Sequence, residues 1–229
     1  MRSLTTSTKL KLAYISLAAT DTWLSSSTNR WAHRARFVTK PLLMPTLAGS
    51  LATSAHAETS PLRTSTLAAQ VGGWGGDVAL LGAGTKPFLA GTGSFALGHV
   101  AYLTGFLRNR STAPLSTTGA ARAVAGSWAM TAPLMALMAG RQHREFAGPV
   151  FGYGTMLAAT VVSATHLDPK LSPASRRCTA AGAAMFMVSD TLLGFRKFVL
   201  SDSPPALETA VMATYTTAQL LLSEGAARA

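Results

Sequence analysis

Apolar and polar positions alternate along this chain in long blocks rather than in the short period of a strand. Eight predominantly apolar runs, at residues 10–27, 40–57, 67–83, 87–107, 123–140, 146–167, 178–195 and 206–223, are separated by short polar or basic segments. A helix needs about 20 mostly apolar residues to cross a bilayer, and these runs have roughly that length. The pattern predicts an all-α protein, a polytopic transmembrane helical bundle of about eight transmembrane helices forming a single integral membrane domain over residues 1–229. Short connections make neighbouring helices antiparallel. Pro45, Pro133 and Pro149 fall within or beside runs, which membrane helices tolerate better than soluble ones. Met1, Arg2, Lys9 and Lys11, followed by an apolar stretch to Leu24, imitate a secretory leader. No clear small-x-small cleavage site follows and several further spans do, so a first transmembrane helix is the better reading.

Composition agrees. Charged residues make up 13% of the chain against the ~25% usual in soluble domains, while hydrophobic residues reach 48%. Mean hydropathy is +0.27. The apolar content comes largely from Ala, Leu, Gly, Met and Val, and small residues suit helices that approach closely in lipid.

The net charge of +11 raises nucleic-acid binding as the first alternative. The basic residues, however, cluster between runs, at Arg30/Arg34/Arg36, Arg108/Arg110, Arg141/Arg144, Arg176/Arg177 and Arg196/Lys197. No basic face recurs along a helix and no nucleic-acid motif is present. These clusters read as membrane-flanking loops, and no nucleic-acid partner is expected. With alternating spans, Lys and Arg favour the side of the N-terminus by eleven to nine, which makes that side cytoplasmic. A lone Cys178 forms no internal disulfide. His33, His56, His99, His143 and His166 show no metal-ligand spacing, and GxSxG, HExxH and P-loop motifs are missing. Neither a serine hydrolase nor a zinc enzyme is expected, and no metal or cofactor.

The acids carry the candidate chemistry. Glu58, Glu145, Asp168, Asp202, Glu208 and Glu224 lie in connections or at run ends, where solvation explains them. Asp21 interrupts the first run and is set aside. Asp77 and Asp190 differ, because an ionised carboxylate at the centre of a membrane helix costs about 2.5–3.5 kcal/mol on insertion scales. The plain alternative for each is a protonated or hydrogen-bonded acid that joins helices.

Around them lie stripes at helical spacing. Gly182, Phe186 and Asp190 share one face, as do Gly91, Phe95, His99 and Tyr102, and Met212, Tyr215 and Gln219. In Val71-Gly-Gly-Trp-Gly-Gly-Asp77, Gly72 and Gly76 form a GxxxG pair that admits another helix. A single His or Tyr on an apolar helix is ordinarily a packing residue, but four such stripes predict the lining of one cavity. Lys40 and Arg196, at run ends, reach phosphate headgroups either by generic snorkelling or by specific contact. Two intramembrane carboxylates fit acid–base chemistry or proton-coupled transport.

The ordered set Lys40-Pro-Leu-Leu-Met-Pro45, Gly76-Asp77, Phe95-x-x-Gly98-His99-x-x-Tyr102, Tyr153-Gly154, Phe186-x-x-Ser189-Asp190 and Tyr215-x-x-Ala218-Gln219 resembles the YhhN-like lysoplasmalogenase family over residues 37–223. The resemblance implies an eight-helix integral membrane enzyme that hydrolyses the vinyl ether bond of lysoplasmalogens to a fatty aldehyde and a glycerophospho-base. It implies Asp77 and Asp190 as catalytic residues. Lys40, His99, Tyr102, Ser189, Arg196, Tyr215 and Gln219 are the expected substrate-binding set, with a lysophospholipid in the bilayer as partner and a bacterial plasma membrane as location.

A vinyl ether is stable to base but opens when its β-carbon is protonated, so one protonated acid and one carboxylate are required. Two acids close together in low dielectric divide those roles. The rival classes are a proton-coupled transporter or lipid carrier using the same acids, and a structural membrane protein. No internal repeat of the kind common in transporters is evident.

Overall fold

The computed structural model describes residues 4–115, 118–200 and 202–229. Met1 and Arg2, the start of the leader-like segment, lie outside them. Among the described residues there are eight α-helices and no strand: α1 (Thr6–Ser25), α2 (Arg30–Ala52), α3 (Arg63–Ala79), α4 (Thr85–Arg108), α5 (Gly119–Gln142), α6 (Ala147–Thr165), α7 (Pro173–Phe198) and α8 (Pro205–Ala227). The eight apolar runs thus become the helices of an all-α bundle.

The main departures lie at the helix ends. Asn29 caps α2 by accepting from the Trp31 N–H at 2.9 Å, so the helix starts at Arg30, well ahead of the apolar run. Arg30, Arg34 and Arg36 are therefore helical, where a basic loop was expected. Ser172 caps α7 by accepting from the Ser175 N–H at 3.0 Å, which places Arg176 and Arg177 in its opening turns. Arg196 and Lys197 form its last turn, where cations complement the helix dipole.

Among the described residues, three helices are long and apolar enough to cross a membrane: Gly119–Gln142, the segment Arg144–Thr165 that adds a 3-10 turn to α6, and Pro173–Phe198. The remaining helices carry polar side chains that lower their hydropathy, and many of these point inward. Asp21, Lys40, Gln70, Asp77, His99 and Gln219 are all buried. Large apolar side chains instead face outward, with Leu97 71% and Met130 77% exposed. That inverted distribution suits a bundle whose surroundings are hydrocarbon.

Consecutive helices pack as pairs, α1 with α2, α3 with α4, α5 with α6 and α7 with α8. α8 also touches α1, α2 and α3, while α6 joins α4 to α7. The core between them holds Leu43, Met44, Tyr102, Phe186, Met212 and Tyr215.

The glycine-rich stretch before Asp77 is explained by packing on both sides. A Cβ on Gly72 would lie 2.6 Å from the Gly98 nitrogen of α4, and one on Gly76 would lie 2.4 Å from the Phe95 ring. Backbone therefore meets backbone between α3 and α4, and Ser94 donates to the Gly72 carbonyl at 2.8 Å. Trp74 serves the opposite face. Pro45 has no N–H, so the Pro41 carbonyl lacks its usual donor one turn on, and the Trp74 indole N–H supplies one at 3.1 Å.

Gly72→Ala should force α3 and α4 apart and destabilise the detergent-solubilised protein by about 1–3 kcal/mol, as overpacking does. Gly126→Ala on α5, where a Cβ meets nothing within 4 Å, should be neutral or stabilising in the same thermal-unfolding assay.

Candidate active site

Both interior acids open onto one chamber of about 390 Å³. α3 supplies Asp77, α2 supplies Lys40, and α7 supplies Ser189, Asp190, Arg196 and Lys197. α8 adds Glu208, Met212 and Tyr215, while Phe88 and Phe95 of α4 form an aromatic side. A second, apolar cleft of about 100 Å³ runs between α4, α5, α6 and α7, past Trp128, Met135, Leu157 and Met187. The two spaces share Leu80, Phe88, Phe95, Asp190 and Leu193, so Asp190 stands where the polar chamber meets the apolar cleft.

Each acid has a tyrosine. The Tyr215 hydroxyl donates to Asp77 Oδ2 at 2.7 Å, and Lys40 Nζ lies 3.7 Å from Asp77 Oδ1. The Tyr153 hydroxyl donates to Asp190 Oδ2. Asp77 is fully buried, and among the described residues no ion pair is formed by Asp190. The two carboxyls therefore differ in kind: one has a cation and a phenol, the other a phenol and an apolar border. A buried carboxylate is tolerable only with such partners.

Of the nine residues expected at the site, Lys40, Asp77, Ser189, Asp190, Arg196 and Tyr215 line the chamber. The Ser189 hydroxyl, however, donates to the Val211 carbonyl at 3.0 Å. His99, Tyr102 and Gln219 are not brought to the chamber but pack behind it. Tyr102 donates to Gln219 Oε1 at 3.0 Å, and His99 Nδ1 pairs with the Thr160 hydroxyl at 3.2 Å. His99 also packs against the Phe186 ring, 4.6 Å between centroids, with Phe95 and Tyr215 completing the same aromatic wall. Their stripes do face one interior, but at a level separated from the chamber by those rings.

Tyr153, quoted among the motifs but not in the expected site set, and Glu208 are the polar neighbours that sequence reasoning did not assign to the site. Tyr153 carried a signal, since only four tyrosines occur in the chain. All four donate inside the bundle, Tyr14 to the Thr216 carbonyl at 2.8 Å and the others as above. Glu208 and Glu224 are not simply solvated as expected. Glu208 pairs with Arg36 at 3.1 Å and with Arg196 at 2.7 Å, and Glu224 pairs with Lys11 and, at 2.8 Å, with Arg228. Asp21, set aside on sequence, is fully buried near the end of α1, with the Thr39 hydroxyl donating to it at 2.6 Å. Lys197 rests its ammonium 4.4 Å from the centroid of the Phe88 ring.

Residues 35–226 match the YhhN family. The chain belongs to the YhhN family. The matched segment begins inside α2 and leaves α1 out, in close accord with the 37–223 read from the motifs. Comparisons with curated proteins and with solved structures return no match.

In this YhhN-family bundle the Lys40–Asp77 pair is accessible to a direct test. Lys40→Met should destabilise the protein, and less so when Asp77→Asn is already present. A double-mutant cycle in thermal unfolding should show coupling of about 0.5–3 kcal/mol. Strict additivity would mean that the pair contributes nothing.

Proposed function

We propose that this protein is a lysoplasmalogenase, a membrane hydrolase of the vinyl ether bond, with Asp77 and Asp190 as its catalytic residues. The observation that carries the reading is the position of Asp190, which lines both the polar chamber that Asp77 also lines and the adjoining apolar cleft. A single-chain amphiphile has that shape. Its alkenyl chain would enter the cleft between α4, α5, α6 and α7, its glycerophospho headgroup would occupy the chamber, and the vinyl ether between them would lie beside Asp190. Family membership is consistent with a hydrolase.

The chemistry follows from the unequal surroundings of the acids. Asp190, at the apolar border and without a cation, serves as the acid that delivers a proton to the β-carbon of the vinyl ether. The double bond's electrons take up that proton and leave an oxocarbenium ion. Asp77, paired with Lys40, serves as the carboxylate that stabilises positive charge and orients water for attack. The proton given up by the attacking water restores Asp190, and the hemiacetal collapses as its hydroxyl proton passes to the glycerol oxygen and that C–O bond breaks, giving aldehyde and alcohol. Tyr153 and Tyr215 hold the two carboxyls in place. On this reading the enzyme lies in the plasma membrane of a bacterial cell with a cytoplasmic N-terminus.

Purified protein should release fatty aldehyde from choline or ethanolamine lysoplasmalogen. Asp77→Asn and Asp190→Asn should each lower that release by about 100-fold or more while remaining folded in detergent. Retention of near-normal release by either folded variant would sink the acid pair. Proton-driven lipid uptake into vesicles without aldehyde release would assign the acids to transport instead. The cleft makes its own prediction. A Cβ on Gly194 would already lie 3.4 Å from Met135 Sδ, so Gly194→Leu should raise KM for long alkenyl chains more than for short ones.

A further inference from the structure

Four charges of alternating sign run from the buried side of α1 to the rim of the chamber. Asp21, fully buried, meets Arg36 Nη2 of α2 at 3.4 Å. Arg36 Nη1 meets Glu208 Oε1 of α8 at 3.1 Å, and Glu208 Oε2 meets Arg196 Nη1 of α7 at 2.7 Å. Side-chain exposure rises along the ladder, 0% for Asp21, 13% for Arg36, 15% for Glu208 and 39% for Arg196. Two acids and two guanidiniums balance in charge along the ladder. The first rung sits on a helix outside the matched family segment.

Arg196 is the open end of this ladder. A guanidinium presents five N–H donors in a rigid fork, and Glu208 occupies one terminal nitrogen. The other cations of the chamber are engaged: Lys40 is buried beside Asp77, and Lys197 lies over the Phe88 ring. The turn that carries Arg196 is also held in place, because Gln142 Nε2 donates to the Lys197 and Phe198 carbonyls at 3.3 and 3.4 Å. Arg196 and Asp190 both line the chamber. Their separation on α7 corresponds to an axial rise of about 9 Å, comparable to the reach of a glycerol unit from phosphate to alkenyl carbon.

We propose that Arg196 is the phosphate-binding arm of a headgroup subsite, and that Asp21, Arg36 and Glu208 are positioning residues that hold its free edge toward the chamber. The proposal rests on the reading of the ligand as a lysophospholipid, and it deepens that reading by assigning selection for phosphate-bearing over neutral ether lipids to the ladder. Glu208 keeps one side of the guanidinium occupied, and Arg36, itself anchored by buried Asp21, offsets the repulsion that Glu208 would otherwise exert on a phosphate.

The test uses two saturated ether lipids of equal chain length, a 1-O-alkyl-glycerophosphocholine and a 1-O-alkylglycerol, neither of which has a vinyl ether to hydrolyse. Binding to the full-length protein in detergent is measured by native mass spectrometry, so the result does not depend on wild-type turnover. Arg196→Gln should weaken the phosphate-bearing lipid by about 10–100-fold, the range of a hydrogen bond to a charged group. Glu208→Gln should shift it in the same direction by a smaller factor, and neither variant should alter the affinity for the alkylglycerol. Arg196→Lys, which keeps the charge but loses the fork, should fall between wild type and Arg196→Gln. Equal weakening of both lipids, or undiminished binding of the phosphate-bearing one, would overturn the proposal. A folded Asp21→Asn that leaves both affinities unchanged would overturn the part assigned to α1. Aldehyde release, run in parallel, separates this outcome from a failure of the hydrolase reading.

Discussion

A carboxylate enclosed by apolar helices must be met by donors or give up its charge, and much of this bundle is arranged around that requirement. Asp77 is met from α2 by Lys40 and from α8 by Tyr215, and Asp190 is met from α6 by Tyr153. Asp21 draws Thr39 and Arg36 of α2 onto α1. Each of these acids therefore ties its helix to another, the neighbouring one for Asp21 and Asp190, and for Asp77 both neighbouring α2 and distant α8. Hydrophobic contact alone is a poor discriminator between helices in lipid, because the tails are as apolar as the side chains.

The same interior sets the shape of the cavity. Glycines on α3 let α4 press against it, which advances Phe95 and its aromatic neighbours toward the centre. Those rings divide the interior in two. On one side lies a layer in which Tyr102 bonds Gln219 and His99 bonds Thr160, and on the other the chamber stays open between Lys40, Asp77, Asp190 and Glu208. Asp190 alone of the two central acids borders the apolar cleft. That asymmetry supports the division of roles in the proposed reaction, since equal acids in one compartment would give no reason to prefer either as the proton donor.

The relation between the family segment and the whole chain is informative. α1 lies outside the matched residues, yet its Tyr14 and Asp21 are buried against α8 and α2. The helix is thus built into the bundle rather than appended to it. Its buried acid starts the charge ladder that reaches the chamber rim, so a segment with a poor apolar run still bears on the site.

Much of the fold was legible in the sequence because its determinants are local. The length of an apolar run and the scarcity of charge decide whether a segment becomes a buried helix, and neither depends on partners. The same reasoning singles out Asp77 and Asp190, since the cost of a carboxylate in an apolar run is a property of the run itself. Which side chains meet those acids was another matter. Tyr215 lies 138 residues from Asp77, and Tyr153 lies 37 from Asp190. Such pairings depend on the rotation of each helix about its axis and on which helices adjoin, and both are settled by packing between distant segments. Glu208 looked solvated because it stands at the start of a helix, and only the folded bundle turned it between two arginines. His99, Tyr102 and Gln219 had the right spacing to face inward, but spacing says nothing about depth, and the Phe95 and Phe186 rings placed them behind the site.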